Sequence, residues 1–142
     1  MPFGSHSLRE GEEAPLLILS TESNASHINT LKGKYVVINF WSIKDPDSRI
    51  KNRRLADLTS TLPSSQICFV SICTDNDTTL KREIIETDGY PENTLSFSAS
   101  DFAPEVLDDY QTNTGCRSFL IDPFGNLKKI NPDENEITEV LV

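Results

Sequence analysis

The sequence predicts an α/β domain with a central mixed β-sheet and helices on both of its faces. Three observations carry this. Residues 35–40 (Tyr-Val-Val-Ile-Asn-Phe) and 67–73 (Ile-Cys-Phe-Val-Ser-Ile-Cys) are apolar at nearly every position. Such runs are expected of strands covered on both faces, not of strands with one face in water. Segments with apolar residues at helical spacing lie between the strands, and this alternation is the mark of a layered sheet. Late in the chain Asp122-Pro123-Phe124-Gly125 divides two short apolar segments, a turn signal that adds an antiparallel hairpin at the sheet edge.

Each element follows from local chemistry. Residues 16–20, after Ala14-Pro15, read as a short strand, and polar residues lead on to the turn Lys32-Gly33-Lys34. After the strand at 35–40, Pro46 opens a helix to about residue 62, with Leu55, Leu58 and Leu62 on one face and Pro63 as its stop. The strand at 67–73 is followed by a helix at 77–87 with Leu80, Ile84 and Ile85 inward, closed by Asp88-Gly89. Residues 95–97 form a short strand, and 104–110 a short helix with Asp101 or Ala103 near its cap. Residues 117–121 and 126–130 flank the hairpin turn, and a last helix falls within 132–142.

At 142 residues the chain fits one domain with a real core. Residues 1–10 are expected to be a tag or disordered lead-in, without the pattern of a signal peptide, and 11–142 a single domain. A net charge of −9 is repelled by nucleic acid and by anionic lipid, so neither is an expected partner. No apolar run approaches the ~20 residues of a membrane span. The three cysteines, Cys68, Cys73 and Cys116, give no closed disulfide framework. Cys68 and Cys73 are five apart in one strand and so should face opposite sides. His6 and His27 are isolated and read as surface or turn residues. Without a Cys/His cluster, no metal or cofactor is expected.

Four pieces, in order, carry a family resemblance: Gly11-Glu-Glu-Ala-Pro15; Leu31-Lys-Gly-Lys-Tyr-Val-Val-Ile-Asn-Phe-Trp41; Phe69-Val-Ser-Ile-Cys-Thr-Asp75; and Ser118-Phe-Leu-Ile-Asp-Pro-Phe-Gly125. Together they resemble the bacterial TlpA-like thiol–disulfide interchange domains, which overlap with the AhpC/TSA type, within the thioredoxin-like superfamily. The resemblance implies a thioredoxin-like fold with an N-terminal β-hairpin extension. It also implies an extracytoplasmic, periplasmic or lipid-anchored place, with the signal segment absent from this chain.

The resemblance also locates a departure. Family members carry Cys-x-x-Cys after the tryptophan, and here Asp45-Pro46-Asp47-Ser48 occupies those positions. Asp45 is a preferred N-cap, Pro46 a preferred first helical residue, and Asp47 suits the first turn. A helix start of this kind stabilises a thiolate in the family. A carboxylate there cannot attack a disulfide, and the Ser48 hydroxyl has no nearby histidine to activate it. Three readings are open: a well-capped helix start, a catalytic role for Asp45 or Ser48, and a residual binding role. No cysteine lies between Trp41 and Gln66, which argues equally against a peroxidase.

A second departure is Cys116, where the family has a proline preceded by a cis bond. A trans bond is expected, because a non-proline cis bond costs ~2.5–4 kcal/mol. Cys116 is then the best remaining redox candidate and Cys73 the weaker one. It reads as a small apolar residue, as a reactive lone thiol helped by Arg117, or as a disulfide partner of Cys73 across one intervening strand. Trp41 reads either as core or as a contact surface for a partner. In residues 44–54, Lys44, Arg49, Lys51, Arg53 and Arg54 against Asp45 and Asp47 leave +3, and so −12 for the rest of the chain. That segment is a solvated helix face or a docking site for an acidic partner. Two functions follow. One is a binding or accessory module without dithiol chemistry, acting on a protein partner. The alternative is an oxidoreductase that uses Cys116, or Cys73, as a lone thiol.

Overall fold

In chain order the elements are β1 (Tyr35–Trp41), α1 (Pro46–Ser60), β2 (Ile67–Cys73), α2 (Thr78–Asp88), β3 (Leu95–Ser98), a 3-10 turn (Ala99–Asp101), α3 (Pro104–Asp109), β4 (Ser118–Ile121), β5 (Leu127–Ile130) and α4 (Glu134–Glu139). The computed structural model describes residues 8–15, 33–75, 78–91, 94–110 and 115–141. The five strands lie in the order β3-β2-β1-β4-β5. β1 runs parallel to β2, in register from Tyr35↔Ile67 to Trp41↔Cys73, and antiparallel to β4. β3 is parallel to β2, and β5 antiparallel to β4. The sheet is therefore mixed, with an antiparallel hairpin at one edge, as the sequence predicts.

Alternation along the central strands sorts the core into two layers. Val36, Ile38, Phe40, Val70 and Ile72 pack with Phe119 and with Phe102, Val106 and Tyr110 around α3. Val37, Ile67, Phe69 and Leu120 meet Leu55 and Ala56 of α1 and Ile137 of α4 on the opposite face. Trp41 and Cys73 continue that second face under Ile84 of α2. Phe40 stacks against Tyr110 and Phe119, with ring centroids 5.5 and 6.1 Å away. Cys68 packs with the first layer and Cys73 lies in the second, so the two thiols do face opposite sides.

Local chemistry closes each element. In the β4–β5 turn, Asp122 Oδ1 accepts from Phe124 N and Asn126 N at 2.9 Å each. Gly125 takes φ of +90° there, a left-handed conformation that costs glycine nothing. α4 begins with a reciprocal cap between Asp133 and Glu136. α2 ends at Gly89, whose N–H reaches Ile85 O at 3.1 Å with φ of +65°.

Several expectations need correction. α1 stops at Ser60, with Thr61 as its C-cap, two residues short of Leu62. Leu80, expected inward, is 39% exposed: among the described residues the buried cluster beneath α2 is Trp41, Cys73 and Ile84, and it does not include Leu80, one turn earlier in the helix. Of the two residues expected near the α3 cap, Ala103 holds the position, without a side-chain bond, while the Asp101 carboxylate accepts from Ser98 N at 2.8 Å and closes the 3-10 turn. Residues 8–10, assigned to the lead-in, are built into the fold. Leu8 packs against the first core layer, and Glu10 Oε2 accepts from Ile130 N at 3.1 Å. Gly11 N and Leu127 N then bond to Leu127 O and Glu12 O, at 2.6 and 2.7 Å, and Tyr110 donates to Pro15 O at 2.6 Å. The strand expected at 16–20, the N-terminal hairpin, His6 and His27 lie outside the described residues.

Candidate functional site

Because β1 and β2 are parallel, their carboxyl ends reach the same sheet edge, with Trp41 opposite Cys73. Ligands of open α/β sheets gather at such an edge. There β1 turns into α1. Asp45 caps the helix with its carboxylate accepting from Ser48 N at 3.2 Å, and Pro46 takes the first helical position. Ser48 is buried. Its hydroxyl donates to Asp45 O at 2.8 Å and accepts from Ser42 N at 3.0 Å, which ties the turn to the helix. Asp47 is exposed in the first turn. The run Asp45-Pro46-Asp47-Ser48 is thus a satisfied cap.

Asp75, just past β2, clamps the same turn from the neighbouring strand. Its carboxylate accepts from Ser42 Oγ at 3.1 Å and from Ile43 N. The Cys73 thiol also points to it, 3.7 Å from Oδ2. Asp75 was quoted above only as part of a strand motif. Its signal is positional: the residue beyond one parallel strand faces the turn that leaves the next.

Cys116 enters this cluster from the segment before β4. Its thiol is close enough to Ser48, Asp45 and Asp75 for all three to act on its ionisation. Among the described residues no peptide bond is cis, so the bond before Cys116 is trans, as expected. Burial pushes the Cys116 pKa up; the Ser48 hydroxyl opposes this, and the Asp45 and Asp75 carboxylates add to the rise. Burial likewise pushes Cys73 up to about 11, against the pull of the Asp75 N–H. Cys68 is pushed up to about 11 by burial, with Lys34 opposing. All three are free thiols, and β1 separates Cys73 from Cys116. The Arg117 guanidinium stands over the Phe119 ring, 5.6 Å from the centroid. The charges that act on the Cys116 thiol are carboxylates.

Trp41 is fully buried, and its indole N–H donates to Ser71 Oγ at 2.9 Å. Of its two open readings core packing is the one observed, and no part of the ring offers a contact surface. The cationic segment is partly committed as well. Arg49 forms a two-pronged pair with Asp88 at 2.7 and 2.9 Å, and Arg53 pairs with Asp57 and lies over the Tyr90 ring. No group of three or more His, Cys, Asp or Glu among the described residues is placed to hold a metal ion.

Comparison with solved structures turns this geometry into a fold assignment. A thioredoxin-like protein from Parabacteroides distasonis is similar at 26% identity and a TM-score of 0.73, over 94% of this chain and 98% of its own. This chain has the thioredoxin-like fold. A thiol:disulfide interchange protein from a Bacteroides species shares that fold at 21% identity and a TM-score of 0.74, over 94% of this chain and 88% of its own. The thioredoxin domain of a thiol-disulfide oxidoreductase from Bacteroides vulgatus does so at 23% identity and 0.73, over 95% and 96%. No family model matches this chain, and no curated protein matches it. No helix among the described residues is long and apolar enough to cross a membrane.

Proposed function

We propose that this thioredoxin-fold chain is a binding or accessory module that performs no dithiol exchange, in an extracytoplasmic setting shared with thiol–disulfide proteins. One observation carries the reading. At the β1–α1 turn, where the resemblance places a cysteine pair, stand the Asp45 cap and the internally bonded Ser48. The nearby Cys116 thiol is faced by two carboxylates, which oppose the thiolate that exchange requires. The binding side of the reading rests on the outer face of α1. An open groove of about 530 Å³ there is lined by Ile43, Pro46 and Ile50, by Arg49, Arg53 and Arg54, and by Asp88, which is paired with Arg49. Ile50 is 52% exposed. An acidic protein segment with aliphatic side chains complements this face, on a chain that is acidic elsewhere.

A disulfide-reduction assay on insulin tests the chemistry. The wild-type chain should show no turnover, and the double substitution Asp45→Cys with Ser48→Cys should confer it by restoring a dithiol at the helix start. Wild-type turnover that Cys116→Ser abolishes would overturn the reading. The surface is tested with a fluorescent peptide of alternating Glu and Leu. Its binding should weaken with salt and be lost on Arg54→Glu. Binding indifferent to both, or no binding, removes the acidic partner.

A further inference from the structure

A second cleft, of about 360 Å³, opens between α1 and the end of α2, over the side of the sheet where β2 meets β3. It is lined by none of the residues of the Asp45–Cys116 cluster. Ser71 and Ser96, register partners on β2 and β3, contribute to it, as do Asn52 of α1 and Tyr90 after α2. Ile85 and Pro91 supply apolar surface. Its volume lies in the range of small-molecule sites.

The hydroxyls of this cleft are incompletely used. Ser96 Oγ is buried without a hydrogen-bond partner. Ser71 Oγ accepts from Trp41, and the Tyr90 hydroxyl accepts from Asn52 Nδ2 at 2.8 Å. Neither hydroxyl finds an acceptor for its own proton among the described residues. Buried polar groups are nearly always paired, and an unpaired one costs stability. Three hydroxyls whose protons have no acceptor among the described residues therefore border one cleft. Asn39, whose amide donates to Asn52 Oδ1 at 2.9 Å, fixes Asn52 and through it the Tyr90 hydroxyl. Burial raises the Tyr90 pKa, so the phenol remains a donor. Among the described residues Glu86 lines the cleft and no lysine or arginine does; Arg53 stands over the Tyr90 ring outside that lining, so no guanidinium in the cleft is available to pair with an anion.

We propose that this cleft binds an uncharged small molecule. A carbonyl oxygen of the ligand would accept from the hydroxyls of Ser71, Tyr90 and Ser96, and its apolar body would rest on Ile85 and Pro91. The site is independent of the thiol chemistry and of the α1 surface described above.

The test uses cyclohexanecarboxamide as the probe, titrated into the isotope-labelled chain and followed by amide NMR up to the probe's solubility limit. Saturable shifts are expected at Ser71, Ile85, Tyr90 and Ser96. Ser96→Val should weaken the probe roughly tenfold, the scale of one lost hydrogen bond. Tyr90→Phe gives an independent check if the first variant folds poorly. Cyclohexanecarboxylate should produce no comparable shifts. The proposal is overturned if the amide gives no saturable shifts, if the carboxylate binds as well, or if both variants bind like the wild type.

Discussion

At Cys116, burial and two carboxylates act in the same direction, and only the Ser48 hydroxyl opposes them. A thiol so placed stays protonated at neutral pH, so iodoacetamide should modify it slowly on the native chain. The rate should rise only above the free-thiol value of about 8.5. Asp45→Asn removes one of the opposing anions. It should shift the profile to lower pH and speed modification at fixed pH; an unchanged profile would show that Asp45 does not act on the thiol. Asp88 shows the opposite sign. The Arg49 guanidinium bonded to it holds its carboxyl below the ordinary range, against a smaller effect of burial. A carboxyl lowered in the folded state adds stability above the ordinary value of about 3.9, and this is lost as pH falls through the folded value. The Tm difference between wild type and Asp88→Asn should therefore be present at pH 7 and shrink below about pH 4. A difference constant with pH would assign it to packing.

Among the elements, α1 carries the clearest energetic signature. It places Asn52, 1% exposed, between Asn39 on β1 and Tyr90 after α2. Asn52→Ala would leave the Asn39 amide and the Tyr90 hydroxyl without these bonds, at a cost of about 2–3 kcal/mol. A denaturant titration measures this, and a double-mutant cycle with Asn39→Ala should show coupling. Additive losses would mean the two residues act separately. The same element shows what the sequence makes legible. The start of α1 is readable because Asp45 and Pro46 act on their own backbone, and the β4–β5 turn is readable for the same reason. The buried strands announce themselves by continuous apolar runs. The Asn39–Asn52–Tyr90 chain is not readable, since a lone polar residue in an apolar run does not name its partner. Asp75 escapes for a related reason: its bonds cross from one strand to the turn leaving another. Leu80 misleads because helical spacing specifies a face and not how far the sheet extends beneath it. The candidate site was thus readable in its local pieces, Asp45 and Ser48, and in Cys116 through the resemblance, and unreadable in what Asp75 adds across the fold.

For the molecule as a whole, protection should follow distance from the sheet edge. β1 has a partner on both sides, and Val37 and Ile38 are wholly buried. Among the described residues β3 has a single partner strand, and Leu95 is 41% exposed. Amides of β1 should exchange with deuterium only through global unfolding, and those of β3 through cheaper local opening. Equal protection in both strands would make the edge part of the same cooperative unit. The double pairing of β1 also bears on how the chain is made. Its β2 partner follows after one helix, but β4 is translated only after β2, α2, β3 and α3. Until then one margin of β1, rich in valine and isoleucine, offers unpaired N–H and C=O groups to any other extended chain. The nascent polypeptide thus passes through an interval of exposure on the ribosome that ends only when residues 118–121 emerge and take their place.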